Sequence, residues 1–160
     1  MLNTLLLTAV LAAPTEFPTA LVGEWRYGTV SGTTYWDSST GKYLGSGSGM
    51  SDTFIFAKDG SYKEYAFIKS SPMAGWTTKI FTTIEGKATV SGDTLTLTPT
   101  KGNYHVEDNR VARSNYDRPM TDEEVKKQIK SQGFSLGQED GKPVLVIKLE
   151  KSSMKYQKVN

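Results

Sequence analysis

Few side chains in this sequence are equipped for chemistry. Its 160 residues include no cysteine and a single histidine, His105. Those counts remove thiol nucleophiles, disulfide scaffolds, cysteine-rich zinc sites and any metal site built on two histidines. A serine–histidine–aspartate arrangement would have to rely on His105 alone, and no order of residues supports one. His105 itself reads either as an axial haem ligand or, more ordinarily, as a strand histidine with no special role. Glu107 and Asp108 are adjacent carboxylates, but neighbours on a strand point to opposite faces and would not converge on one substrate. The glycine-rich stretch 45–49 (GSGSG) has neither G-x-G-x-x-G spacing nor a following helix, so it reads as a flexible portal loop and not as a phosphate cradle. Glu64, on an alternating apolar segment, is the one carboxylate whose position invites a functional reading. No catalytic residue, metal ligand or cofactor is assigned.

Hydrophobic residues make up 37% of the chain and charged residues 22%, enough for a packed core and against wholesale disorder. Nineteen basic residues against seventeen acidic ones leave a formal net charge of +2, too mild to call for a nucleic-acid partner. The aromatic and basic residues Tyr104, Arg110, Arg113, Tyr116 and Arg118 have the composition that stacks on single strands. With so small a net charge and export expected, they read better as a loop that caps a barrel mouth or packs against the aromatic insertion of Tyr35 and Trp36. Residues 5–13 (LLLTAVLAA) form an apolar run too short to cross a bilayer, which needs about 20 residues. Its length suits the core of a secretory signal. Residues 1–18 are therefore expected to be a signal or N-terminal segment and 19–160 the folded domain, secreted or periplasmic and not membrane-spanning.

The elements that must position any site are mostly strands. From Leu21 onward, period-two alternation is broken by glycine-containing turns, the pattern of an antiparallel meander. Strands are expected at 23–30, 53–57, 61–69, 76–84, 87–91, 94–98 and 104–107, then at 134–136, 144–149 and 153–159. Asp59-Gly60 and Asp140-Gly141 are hairpin turns, and Glu85-Gly86 and Gly92-Asp93 read as further turns. Pro99 ends a strand, and residues 108–120 read as a loop. One short surface helix is expected at about 121–131. Thr121 is its N-cap, Glu124 completes a capping box, and Gly133 is the stop. The expected fold is all-β: an up-and-down antiparallel barrel of about 8–10 strands, since closure hides the sheet edges.

Three segments carry a resemblance to a known family. Leu21-Val22-Gly23-Glu24-Trp25 is similar to the Gly-x-Trp opening of the lipocalins. Phe56-Ala57-Lys58-Asp59-Gly60-Ser61-Tyr62 and residues 86–97 (GKATVSGDTLTL) resemble small bacterial lipocalin-like domains. Together they cover roughly residues 21–99. The resemblance implies a calycin-type barrel with a cavity for a small apolar molecule and with Trp25 plugging the closed end. Eukaryotic lipocalins stack an arginine of the last strand on that tryptophan; here the last strand offers Lys155 and Lys158. The helix also precedes the last strands, whereas the lipocalin helix follows them.

Choosing the face that carries Trp25 as the interior puts Tyr27 inside too, and Phe54, Phe56, Ile80, Leu95, Leu97 and Ile147 are taken as lining with them. The strand after Asp59-Gly60 is ambiguous: Tyr62, Glu64, Ala66 and Ile68 share one face, and Lys63, Tyr65 and Phe67 the other. By the resemblance Tyr62 faces inward, which brings Glu64 with it. A buried carboxylate needs a partner, and Arg26, Arg110, Arg113 or Arg118 is expected to supply one; the other reading leaves Glu64 solvated at the rim. Tyr65 and Phe67 then face outward, where Val125 and Ile129 of the helix are expected to cover them. The functional expectation is a non-enzymatic protein that holds a small, largely apolar molecule in the barrel. The alternatives are a protein-interaction or inhibitor module acting through loops 31–51 and 103–120, and an isomerase or cyclase using Glu64 and the tyrosines.

Overall fold

The computed structural model describes residues 16–28, 36–37, 42–43, 49–71 and 73–159. The apolar run 5–13, Tyr35 and most of the 31–51 stretch lie outside them. The strands, in chain order, are β1 (Gly23–Gly28), β2 (Trp36–Asp37), β3 (Lys42–Tyr43), β4 (Met50–Phe56), β5 (Ser61–Ser70), β6 (Thr78–Ser91), β7 (Thr94–Asp108), β8 (Tyr116–Pro119), β9 (Lys130–Glu139), β10 (Lys142–Lys148) and β11 (Ser153–Val159). One helix, α1 (Asp122–Lys127), precedes β9.

Alternation gives each strand one oily face, and pairing with the next strand lets those faces curl toward one another. β1, β4, β5, β6, β7, β9, β10 and β11 pair in that order, and β11 returns to β1. Every pairing is antiparallel, so eight strands close an up-and-down barrel. β8 stands outside this ring on the distal part of β7, with His105 opposite Asp117. β2 and β3 pair with each other. The end at which β1 begins is called the lower end here, and the end at which it finishes the upper.

Several local expectations give way to longer elements. Segments 76–84 and 87–91 are one strand, β6, because Glu85-Gly86 is a bulge and not a turn. At Gly86 a side chain would run into the backbone of Thr98 and Pro99 on β7, so glycine permits the close approach that keeps the ladder continuous. Pro99 falls at the same irregularity, where its missing N–H costs the ladder little, and β7 runs through it to Asp108. The expected loop 108–120 contains a 3-10 turn (Ala112–Ser114) and β8. The helix has the predicted capping box, with Glu124 N–H donating to Thr121 Oγ1 and Thr121 N–H to Glu124 Oε2. It ends at Lys127, however, and Gly133 belongs to β9.

The lower end is closed by packing. Trp25, Phe54, Phe56, Ile84, Leu95, Leu97, Leu145, Ile147 and Tyr156 form one buried cluster with Phe17 and Leu21. The segment before β1 turns back under the barrel: the Phe17 ring lies 5.6 Å from that of Phe56. The Trp25 indole N–H donates to the Leu21 carbonyl at 2.7 Å. Each fully buried side chain of this size contributes about 1.5–3 kcal/mol by leaving water. Val125 of α1 packs on this interior cluster, and α1 lies against β7. The helix therefore does not cover Tyr65 and Phe67. Those two are nevertheless buried, and the Phe67 ring lies 4.8 Å from that of Phe81.

Candidate functional site

Above the aromatic floor the inward row changes character. On β4 the side chains pointing in are Phe56, Phe54, Asp52 and Met50, and the paired row on β5 is Tyr62, Glu64, Ala66 and Ile68. The register thus places two carboxylates on the inner face. Both are buried: Asp52 is 8% exposed and Glu64 4%. The reading that leaves Glu64 solvated at the rim is overturned, because Phe54 and Ile84 flank it across the ladder and are themselves buried.

Its partner is Lys130, none of the four expected arginines. Lys130 Nζ lies 2.6 Å from Glu64 Oε1. The two strands are not neighbours in the ring, so this ion pair crosses the interior. Because the helix stops at Lys127, Lys130 is the first residue of β9. It faces Leu97 on the inward row, and its long stem reaches across. The arginines are engaged elsewhere: Arg26 with Glu24 at 2.6 Å, Arg110 with the Ala74 carbonyl, and Arg118 with both oxygens of Glu124 at 2.8 Å.

A second link joins Asp52 to β11. The Tyr156 hydroxyl donates to Asp52 Oδ2 at 2.8 Å. Its ring sits between Phe54 and Tyr27, at 5.3 Å and 5.6 Å. Burial, reinforced by the nearby Glu64 charge, pushes the Asp52 carboxyl up to about 7; Tyr156 and Lys130 pull the other way and do not offset it. Burial also raises the Tyr156 and Tyr62 hydroxyls well above the ordinary phenol value, with Asp52 acting next on Tyr156 and Glu64 on Tyr62. Asp52 Oδ1, Glu64 Oε2 and the Tyr62 hydroxyl are buried with no hydrogen-bond partner. Three such atoms so close in an apolar interior are costly, each by about 1–3 kcal/mol.

The interior opens above this belt. Ala66 and Thr82, paired on the inner row with Asp52, are small and only half-buried. The next row carries Met50 and Ile68, each 46% exposed, with half-buried Ile80 beside them. Tyr27, opposite Asp52, is half-buried. Two surface clefts lie beside the strand ends: one of about 420 Å³ lined by Arg26, Tyr27, Gly28, Met50, Lys155 and Gln157, and a mostly polar one of about 750 Å³ between residues 129–133 and 148–151.

Of the expected lining residues, Trp25, Phe54, Phe56, Tyr62, Leu95, Leu97 and Ile147 belong to the closed lower cluster. Glu64 joins the polar belt, and Tyr27 and Ile80 stand at the opening. Asp52, Lys130 and Tyr156 were not singled out by sequence. Asp52 could have been, since the alternation that turns Phe54 and Phe56 inward turns it inward as well.

The remaining candidates have structural partners. His105 is on the outer face of β7, with Nδ1 3.2 Å from Asp117 Oδ2 and Nε2 3.2 Å from Glu107 Oε1. Asp108 points the other way and organises the upper loop, accepting from the Trp76 indole at 2.9 Å and from the Arg110 and Val111 N–H groups. Arg118 lies over the Tyr104 and Tyr116 rings while it clamps Glu124, tying β7, β8 and α1 together. At the lower end Lys158 Nζ lies 5.2 Å from the centre of the Trp25 ring, the place where the resemblance expects an arginine. Gly23, with φ of +123°, is suited to this place because residues with a side chain rarely adopt that backbone conformation. Among the described residues no group of His, Cys, Asp and Glu is arranged to hold a metal ion, and no helix is long and apolar enough to cross a membrane. No protein-family model and no curated protein sequence matches the chain.

Proposed function

We propose that this protein is a non-enzymatic, exported binding protein that holds a small, largely apolar molecule in the upper half of its barrel. The observation that carries the reading is the belt of buried, partnerless polar atoms, Asp52 Oδ1, Glu64 Oε2 and the Tyr62 hydroxyl, beneath an open apolar rim. A ligand's polar end would satisfy those atoms while its body covers Met50, Ile68 and Ile80, contributing roughly 25 cal/mol per Å² of apolar area buried. The barrel topology, Gly23-x-Trp25 and the Lys158 ammonium over Trp25 support kinship with lipocalin-like domains. The apolar run 5–13 supports export.

The test is a titration with a neutral, environment-sensitive naphthalene probe, read by probe and tryptophan emission. Saturable, competable binding is expected, and Ala66→Phe, which fills the opening without touching the floor, should weaken it at least about tenfold. A folded protein that shows no saturable signal overturns the proposal.

A further inference from the structure

We infer that the ligand's polar end is a primary ammonium group. The inference rests on the binding reading above and concerns the same site. The belt presents unpartnered acceptors, the second oxygens of Asp52 and Glu64, and one hydroxyl, that of Tyr62. Among the described residues the one cation paired with the belt, Lys130, is already committed to Glu64 at 2.6 Å. Two carboxylates against one ammonium leave the belt one positive charge short when Asp52 is ionised, and an ammonium supplies it with three N–H donors. Charge-assisted bonds of this kind are about twice as strong as neutral ones, and more so in a water-poor interior.

A carboxylate ligand fits badly. It would bring a third negative charge beside Asp52 and Glu64, and among the described residues it would find no uncommitted cation in the belt. An alcohol could donate only one bond and would leave an acceptor unsatisfied. The apolar part of the ligand would lie against the rim residues Met50, Ile68 and Ile80, so an alkyl or aryl amine is the class that matches both halves of the site.

The experiment is displacement of the neutral probe by four molecules of equal chain length: octylammonium, octyltrimethylammonium, octanol and octanoate. Octylammonium should compete about tenfold better than octanol, the equivalent of one charge-assisted hydrogen bond. Octanoate should be the weakest, and octyltrimethylammonium, which has no N–H, should fall below the primary amine. Asp52→Asn should bring octylammonium to within about threefold of octanol; Glu64→Gln, a second isosteric change, should reduce the preference as well. Equal competition by octanol and octylammonium, tighter binding of octanoate, or a preference unchanged in both variants would overturn the inference and leave the binding reading standing. Failure of the neutral probe and of all four competitors would overturn both.

Discussion

Below the Glu64 row the barrel interior is apolar, largely aromatic and closed. Trp25, Phe54, Phe56 and Tyr62 belong to its buried cluster, and the one buried indole N–H has its acceptor in Leu21. Level with Phe54 the inner face carries Glu64, tied to Lys130, and one row higher Asp52, tied to Tyr156; small half-buried residues and then exposed apolar ones follow. The lower half is held by packing, with the Tyr62 hydroxyl its one partnerless buried polar side-chain atom among the described residues. The upper half keeps polar atoms buried at a cost. Stability therefore resides in the floor, and the belt holds the groups that packing alone would eliminate. Natural cores retain such groups chiefly where they serve recognition or specificity, and the hypothesis here is recognition.

The widest separation between the two regions should come from truncation. Trp25→Ala removes a fully buried ring, its hydrogen bond to Leu21 and the surface beneath Lys158, and should cost about 4 kcal/mol in urea unfolding. Affinity for the neutral probe, which sits above the belt, should change far less than stability. If Trp25→Ala leaves the unfolding midpoint near the wild type, the closed floor is not what holds the barrel.

Lys130→Met comes next. It strands the Glu64 carboxylate in the interior and should cost about 3 kcal/mol, because an unpaired buried charge is worse than none. The double change Glu64→Gln with Lys130→Met should recover most of that loss, since both desolvation penalties disappear together. The urea midpoints of the two singles and the double decide the matter. Additive losses would mean that the pair does not act as a unit.

Much of the floor was legible in the sequence and much of the belt was not, for a physical reason. Alternation is local, so it shows that Phe54, Phe56, Leu95 and Leu97 share faces; Asp-Gly turns and the Thr121–Glu124 capping box are equally local. Contacts across the barrel are not. Glu64 and Lys130 are 66 residues apart and Asp52 and Tyr156 are 104 apart, and nothing in either neighbourhood names the other. Extending the helix to 131 hid Lys130 inside a helical pattern, when the capping box and its dipole-matched charges support only the first turns. Reading Glu85-Gly86 as a turn split β6, because a glycine needed for close backbone approach has the same letter as one needed for a turn. β8 was missed because Tyr116–Pro119 is short, charged and edge-bound, with no alternating apolar pair to mark it.

A pH series sharpens the comparison further, because the two limbs of the profile have different owners. Asp52 ordinarily titrates near 3.8 and is held at about 7 in the folded chain, faced by Glu64, Tyr156, Lys130 and the Thr53 N–H. Between those values the folded state binds a proton that the unfolded state has released. Stability should therefore fall as pH rises from about 4 to 7, by up to about 1.4 kcal/mol per unit. Asp59, Glu85, Glu107, Asp108 and Asp117 are held below their ordinary values and work in the opposite sense, as does Glu124, which Arg118 holds down to about 2 from 4.5. Its contribution is present above pH 4.5 and is lost as pH falls toward 2. Urea unfolding should show greatest stability near about pH 4.5. Asp52→Asn should flatten the neutral limb and leave the acid limb in place. A neutral limb that persists in Asp52→Asn would assign it to another group.

The smallest effect should come from the helix cap, and it tests whether the belt can loosen while the floor stays shut. Thr121→Ala removes the side-chain oxygen that accepts from the Glu124 N–H and should cost about 1 kcal/mol. Glu124 keeps its Arg118 clamp, so β7, β8 and α1 stay connected and the loss is confined to the first turn of the helix. α1 leads directly into Lys130, the cation of the belt, and Val125 packs on the cluster that includes Met120. Fraying α1 should therefore raise amide exchange at the start of β9 while amides around Trp25 keep the exchange rates of the intact protein. Uniformly faster exchange, in the floor as much as at Lys130, would show that the two halves open as a single cooperative unit.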